Sequence, residues 1–257
     1  MMVVVQAPNV FQKRKRTAFI LVSLVLGLDL SGCAARITAP PQPVIGGRPP
    51  ADTSVVGSWW ACRFRVSWPP EREPEWAVDL LLAHAVIQPV IREWQEHIGY
   101  WRFHRRAARD QAGHQFSFLF HADPATAAGV FRDIEASALL NEALATGMVE
   151  RMVIDDPASP TKPNLADTSD SHWSPLLQRT WPAYIMGVSA LWLGLINEAM
   201  TELPGDSRDI RDVLECYRQA NARVYTIWYK EGQHALLHHL NAIFGYKPML
   251  IRKEMSF

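Results

Sequence analysis

YWRFHRRAARDQAGHQFSFLFHA, residues 100–122, contains two alternating segments on either side of a short polar stretch. Apolar and polar side chains alternate in 100–106 and again in 114–122, and a period of two is typical of strands with one buried face. The intervening residues 109–113 include an Asp and a Gly, which favour a turn. The stretch therefore predicts an antiparallel hairpin.

A strand and a helix are predicted before this hairpin. Aromatic and other apolar residues alternate with Arg and Ser in 59–68, which again indicates a strand with one buried face. In 75–98 the apolar residues recur with the period of a helix, and Pro89 inside that pattern predicts a kink.

A helix and a short strand are predicted after the hairpin. Asp123 is a favourable N-cap, Pro124 suits the first helical position, and Gly147 ends the helical pattern. Residues 148–154 then predict a fourth strand. The order β-α-β-β-α-β over 58–156 is that of the ferredoxin-like fold, so the predicted class is α+β.

The C-terminal third predicts a helical pair. Residues 157–174 are rich in Pro and Asp and lack periodicity, which indicates a long loop. The segment 175–245 contains two helical patterns, the first strongly apolar, and predicts buried helices that pack on the sheet before a tail at 246–257. A membrane span is the alternative for the first helix, although its apolar run 181–196 is short for a bilayer.

Composition and charge exclude several classes of protein. The chain has 26 basic and 26 acidic residues, so it lacks the basic excess typical of nucleic-acid binding, and no nucleic-acid partner is expected. Only three of its 257 residues are Cys, which excludes a disulfide-rich scaffold and a Cys-based zinc protein. The chain also lacks a phosphate loop and a dinucleotide-binding fingerprint, and no cofactor is predicted.

The N-terminus has the pattern of an export signal. Four basic residues at 13–16 precede the apolar run 17–28. At about 1.5 Å per residue this run spans about 18 Å, short of the roughly 30 Å of a bilayer core. These proportions are typical of a cleaved signal peptide, and an uncleaved N-terminal anchor is the alternative.

Leu-Ser-Gly-Cys at 30–33 resembles the lipobox of bacterial lipoproteins. The resemblance implies a signal peptide at 1–32, a diacylglycerol on the Cys33 thiol, and attachment to a lipid bilayer on the periplasmic side. Ala34 stands where the family's inner-membrane retention signal has Asp, which favours the outer membrane. Residues 33–57, rich in Pro and Gly, would then tether the folded body to the lipid.

The hairpin and a later segment resemble a second family, the C-terminal domain of lantibiotic dehydratases, which also occurs alone as the thiopeptide-type bacteriocin biosynthesis domain. The family has a Trp- and Phe-rich strand that ends in Arg, then a turn, then Gly/Pro-His and an alternating strand, as at 100–106 and 113–120. Its closing helix motif, Leu-His-Met-x-x-Asn-Arg-Leu-x-Gly, is matched in part at 236–245.

This second resemblance implies elimination of glutamate from a glutamylated peptide, with Arg105 or Arg106 and His238 as the catalytic residues. Other arginines of the family are not matched, and such peptide tailoring belongs to the cytosol. The favoured interpretation is therefore a membrane-anchored lipoprotein that binds a peptide or protein partner without chemistry. A peptide-tailoring enzyme of the dehydratase-elimination type is the alternative.

Two polar clusters are candidate sites. Arg102, His104 and Arg109 surround the candidate catalytic arginines and predict binding of an acidic peptide or a carboxylate, unless they form a solvated rim of the sheet. A metal-binding periplasmic lipoprotein is a further alternative, because three potential ligands have the i, i+3, i+7 spacing of one helix face. These are Glu231, His234 and His238.

Cys62 and Cys216 would both lie in an oxidising compartment if the chain is exported, so a disulfide between them is a candidate. Cys62 falls on the apolar face of the first strand, which equally fits a small core residue.

Overall fold

A computed structural model describes residues 57–203 and 209–248. The predicted signal peptide at 1–32, the lipidation site Cys33 and nearly all of the tether at 33–57 lie outside the described residues. So does most of the predicted tail at 246–257.

Four strands and seven helices make up the described part of the chain. The strands are β1 (Ser58–Val66), β2 (Tyr100–Ala107), β3 (His114–Ala122) and β4 (Val149–Ile154). The helices are α1 (Trp76–Leu81), α2 (Gln88–Glu93), α3 (Pro124–Glu135), α4 (Ala138–Ala145), α5 (Pro175–Thr201), α6 (Ile210–Gly232) and α7 (His239–Ile243). π-helical segments join α1 to α2 (Leu82–Ile87) and α6 to α7 (Gln233–His238), and a 3-10 turn lies at Leu165–Thr168.

The strands form one antiparallel sheet in the order β2-β3-β1-β4, and this confirms the predicted α+β class. The predicted hairpin is β2 and β3, with Phe103 opposite Phe118. The single helix predicted after the hairpin is two helices, α3 and α4. The chain breaks between them because the Ser137 side chain accepts a hydrogen bond from the Leu140 N–H and so begins a new helix.

The main core lies between one sheet face and the helices. Alternate residues of β1, including Trp60, Cys62 and Phe64, are at most 1% exposed there, and Phe118 and Phe120 of β3 stack beside them. Burying an apolar side chain of this size contributes about 1.5–3 kcal/mol, so the aromatic stripes of the central strands contribute several times that amount to stability.

The opposite sheet face is covered by the loop after β4. A smaller cluster of Trp59, Ala61 and Leu119 lies there. The indole of Trp59 donates to the carbonyl of Leu165, at 2.9 Å, and this bond holds the predicted loop on the sheet.

The last two long helices lie beside the sheet's edge. Helix α5 runs along β2, where the hydroxyl of Ser189 accepts a hydrogen bond from the backbone N–H of Phe103 at 3.1 Å. Helix α6 packs on α5 and α1, and Arg218 pairs with Glu75 across the second contact at 2.8 Å. This packing gives the backbone N–H of Phe103, at the edge of the sheet, a hydrogen-bond partner. It also leaves a cleft between β2, α5 and α6.

Helix α5 is less buried than the sequence predicts. Only 22% of the residues in its most apolar 18-residue stretch are buried. By length and composition it is the one helix in the described ranges that could cross a membrane. Tyr184, Val188 and Leu191 are each more than 40% exposed along it.

Candidate functional site

An apolar groove of about 750 Å³ lies between β2, α5 and α6. Its walls are mainly aliphatic and aromatic side chains of the two helices: Trp181, Ile185, Val188, Leu191 and Trp192 on α5, and Val224, Tyr225, Ile227 and Trp228 on α6. Tyr225 is 63% exposed and Trp228 57%. Such exposure leaves the groove open to solvent, and its volume is within the range of ligand-binding sites.

Arg105 provides a fixed positive charge at the β2 side of this groove. Its guanidinium carbon lies 4.9 Å from the ring centre of Trp76 and 4.8 Å from that of Trp192, within cation–π distance of both. Its Nε donates to the Asp79 carboxylate at 2.8 Å, and its Nη2 donates to the Trp76 carbonyl at 3.3 Å. The side chain is therefore held in one place before any ligand arrives.

Asp79 is a fully buried carboxylate in α1 and lies behind Arg105. One of its oxygens accepts from Arg105, and the other accepts from the Nε2 of His114 at 3.0 Å. A buried charge is tolerated only when it is paired and hydrogen-bonded in this way. The three side chains therefore form one network, which we call the Asp79 network.

His114 completes the Asp79 network from the start of β3. Its side chain is fully buried, and its ring lies 4.8 Å from that of Trp76. Because an ionised carboxylate only accepts, Nε2 carries the proton in the bond to Asp79. The other ring nitrogen, Nδ1, is buried and has no hydrogen-bond partner in the described ranges.

Two of the predicted binding residues, Arg102 and His104, also border the groove, but on β2 they alternate with Arg105 and start from the opposite face of the strand. Arg102 is partly buried and makes one long bond, 3.4 Å, from Nη2 to the Thr168 carbonyl, while its Nε is buried without a partner. Burial lowers the pKa of the Arg102 guanidinium from its ordinary value. Burial also lowers the pKa of His104, and the nearby charges of Arg102 and Arg106 add to that effect.

The remaining arginines of the predicted basic patch hold the hairpin turn instead. Arg106 pairs with Asp110 at 2.6 Å, and the bond holds the pKa of that carboxyl down at about 2, with help from the backbone N–H of Gly113. Arg109 donates to backbone carbonyls around residues 68–72 and stacks on the ring of Trp68. Neither arginine lines the groove.

The candidate catalytic residues are not brought together at this groove. Of Arg105, Arg106 and His238, only Arg105 lines it. His238 lies in the π-helical segment after α6, where its Nε2 is 3.4 Å from the hydroxyl of Tyr246.

The candidate metal ligands do not assemble into a site. Within 57–203 and 209–248, no group of three His, Cys, Asp or Glu side chains is arranged to hold a metal ion. The ring of His234 lies 5.1 Å from that of His238 and 5.6 Å from that of His239, and Glu231 belongs to the preceding helix α6. The prediction assumed the spacing of an α-helix, whereas residues 233–238 are π-helical and direct their side chains differently.

No disulfide joins Cys62 and Cys216 in the described part of the chain. Cys62 is a fully buried core residue of β1, and burial strongly raises the pKa of its thiol. Cys216 lies on α6, which packs on α1 and α5. The alternative interpretation of Cys62 as a core side chain is the one that the structure supports.

The sequence analysis missed Asp79 and its neighbour Trp76, which shape the positive side of the groove. A usable signal was present, because Asp79 is the only acidic residue in the mostly apolar segment 76–91. A lone carboxylate on a buried helix must find a cationic partner, and the basic hairpin supplies one.

Comparisons with known proteins found no match. The chain matches no protein-family model, no curated protein and no solved structure.

Proposed function

We propose that this protein is a binding protein, anchored to a membrane through Cys33, whose groove takes an apolar segment of a peptide or protein partner. The observation that carries the proposal is the open apolar groove between β2, α5 and α6. Monomeric soluble proteins rarely leave a large contiguous apolar surface uncovered, and such surfaces mark interaction sites. Trp and Tyr, which line this groove, are also the residues most enriched at binding hot spots.

The contacts of the Arg105 guanidinium favour binding over catalysis. Its Nε and Nη2 bond to Asp79 and to a backbone carbonyl, and two indole rings pack beside it. A guanidinium held in this way presents a fixed charge and is poorly suited to exchange protons. We therefore favour recognition over the elimination chemistry of the dehydratase family.

The sheet domain is proposed to be ferredoxin-like. The strand order β2-β3-β1-β4, with helices after β1 and β3, supports this assignment. A relationship to the lantibiotic dehydratase C-terminal domain is part of the same proposal and rests on the hairpin and closing-helix motifs. The proposed location, a periplasm-facing lipoprotein with the outer membrane favoured over the inner, rests on the lipobox at 30–33 and on Ala34.

A selection experiment tests the binding function. The full chain is reconstituted in phosphatidylcholine nanodiscs and used to select from a phage-displayed library of random dodecapeptides. We expect enriched peptides with two or more aromatic or aliphatic residues. Trp228→Ala should weaken their binding about tenfold or more. A tenfold loss corresponds to about 1.4 kcal/mol, and removing an aromatic hot-spot side chain costs at least that much.

The matched control is Tyr229→Ala. Tyr229 neighbours Trp228 on α6 and is 76% exposed, but it does not line the groove. Its substitution should leave the affinity of the selected peptides unchanged. A selection that enriches no apolar peptide, or peptides that bind equally well to the Trp228 variant, would refute the proposed function.

A further inference from the structure

We infer that the chain's own proline-rich segment 43–50 docks in the groove, and that a peptide partner must displace it. The segment, Pro-Val-Ile-Gly-Gly-Arg-Pro-Pro, precedes β1 and lies outside the described residues. The inference rests on the proposed function and names the occupant of the groove when no partner is bound. It comes from the hydrogen-bonding character of the groove and from the place at which the chain enters the sheet.

The groove offers hydrogen-bond donors but few side-chain acceptors. The indole N–H groups of Trp181 and Trp192 reach solvent and donate to no acceptor in the described part of the chain. Among the described residues no Asp or Glu lines the groove. The hydroxyl of Ser189 is already used, because it accepts from the N–H of Phe103 and donates to the carbonyl of Ile185. An ordinary peptide backbone would therefore leave N–H groups without acceptors there, which is unfavourable.

A proline-rich segment avoids that loss. Proline has no backbone N–H, and a chain in the polyproline II conformation leaves its carbonyls free to accept from indole N–H groups. Such segments dock in grooves lined by aromatic rings. Segment 43–50 combines three prolines with the aliphatic side chains of Val44 and Ile45. Six aromatic residues line the groove: Trp76, Phe103, Trp181, Trp192, Tyr225 and Trp228.

The chain enters the sheet near the start of β2. Gly57 lies against the ring of His121, and the N–H of Gly99, the residue before β2, donates to the His121 carbonyl at 2.9 Å. Only β3 therefore separates Gly57 from the start of β2. Strands β1 and β2 run in the same direction, because both are antiparallel to β3. The residues before Gly57 thus emerge at the end of the sheet from which β2 leads into the groove.

The segment is close enough to reach the groove. From the strand register, Gly57 and Phe103 are separated by about 10 Å across the strands and about 17 Å along them, or roughly 20 Å in all. The chain from Pro50 to Gly57 can extend to about 24 Å. An attached ligand of such reach has an effective concentration in the millimolar range, so a segment with a Kd of about 0.1 mM would fill the groove.

Other occupants match the groove less well. A hydrocarbon chain has no acceptor for the indole N–H groups of Trp181 and Trp192. A second copy related by a twofold axis would bring the same donors against each other. The segment 43–50 supplies carbonyl acceptors and apolar side chains, and it is always present at the same short distance.

The test compares two triple variants of the full chain in phosphatidylcholine nanodiscs. Ile45→Asp/Pro49→Gly/Pro50→Gly alters the segment, and Ile37→Asp/Pro40→Gly/Pro41→Gly makes the same chemical changes just before it. The NMR signals of the indole N–H groups of Trp181 and Trp192 report on the groove and are assigned with Trp→Phe variants. We expect both signals to shift in the first variant and to stay in place in the second. A separate peptide of residues 43–50, added to the first variant at about 1 mM, should restore them.

Competition supplies a second measurement. The peptides selected on the parent protein should bind the first triple variant about tenfold more tightly, because they no longer compete with an attached segment. Their affinity for the second triple variant should equal that for the parent. Isothermal titration calorimetry measures both.

The outcomes separate this inference from the proposed function. Indole signals and peptide affinities that are the same in the parent and the first variant would overturn the inference and leave the peptide-binding function in place. Equal shifts in both variants would overturn the assignment to 43–50. Indole signals that shift only in the first variant, although the selection enriches no peptide, would support the docked segment and remove the proposed partner. A dimer that Trp228→Ala dissociates would assign the groove to self-association and overturn the inference.

Discussion

Replacing Asp79 by Ala should destabilise the protein severely, because two buried partners depend on that carboxylate. Arg105 donates to it at 2.8 Å and His114 at 3.0 Å, and Asp79 itself is fully buried. Hydrogen bonds to charged groups contribute about 1.5–3 kcal/mol each, so two give about 3–6 kcal/mol. Breaking buried ion pairs by removal of one partner costs about 3–5 kcal/mol, in agreement with that sum.

The loss can be measured by thermal and urea unfolding. For a protein of this size about 1 kcal/mol shifts the unfolding midpoint by roughly 2–4 °C, so a loss of about 3–5 kcal/mol should lower it by about 6–20 °C. Asp170→Ala is the control, because Asp170 is exposed and its partner His172 is 92% exposed, and its midpoint should not move. The double variant Asp79→Ala/Arg105→Met should recover part of the stability, since it also removes the cation left without its anion.

Two results would refute this reasoning. A loss of less than about 1 kcal/mol for Asp79→Ala would mean that water or a neighbouring group satisfies Arg105 and His114 equally well. A double variant less stable than Asp79→Ala alone would mean that the contacts of the Arg105 side chain with Trp76 and Trp192 outweigh its unpaired charge.

Three further predictions concern single residues. Cys33→Ser should move the protein from the membrane fraction to the soluble fraction and remove the mass of the acyl groups, whereas unchanged partitioning and mass would contradict a lipid anchor. Cys62 should resist iodoacetamide at pH 8 until the protein is unfolded, because burial raises its pKa, and rapid labelling of the native protein would contradict its place in the core. Asp110 has a folded-state pKa of about 2, below its ordinary value of 3.8, so its support of the hairpin turn should persist above pH 3.8 and disappear as the pH falls through about 2. An NMR titration of Asp110 with a midpoint near 4 would contradict this, and Arg106→Gln should shift the midpoint towards that value.

The hairpin and the α+β class follow from local patterns. The alternation in 100–106 and 114–122 and the turn residues between them act over a few positions, so they are readable without knowledge of the rest of the chain. The divided helix after the hairpin was missed, because one Ser137 side chain decides the break and its effect depends on cap geometry. The π-helical segment at 233–238 was missed for a related reason, although His234 and His238 of the predicted ligand set still lie side by side in it.

The groove shows where local patterns stop being sufficient. The amino-acid order alone places Arg102, His104 and Arg105 at alternate or adjacent positions of one strand, and it marks α5 and α6 as apolar helices. It does not reveal that α5 lies along β2, or that Asp79 and His114, 35 residues apart, meet behind Arg105. Those contacts depend on how complete surfaces pack against each other. Packing alone therefore determines that Asp79 neutralises Arg105 inside the protein, while Arg102 on the other face of β2 forms no ion pair in the described ranges.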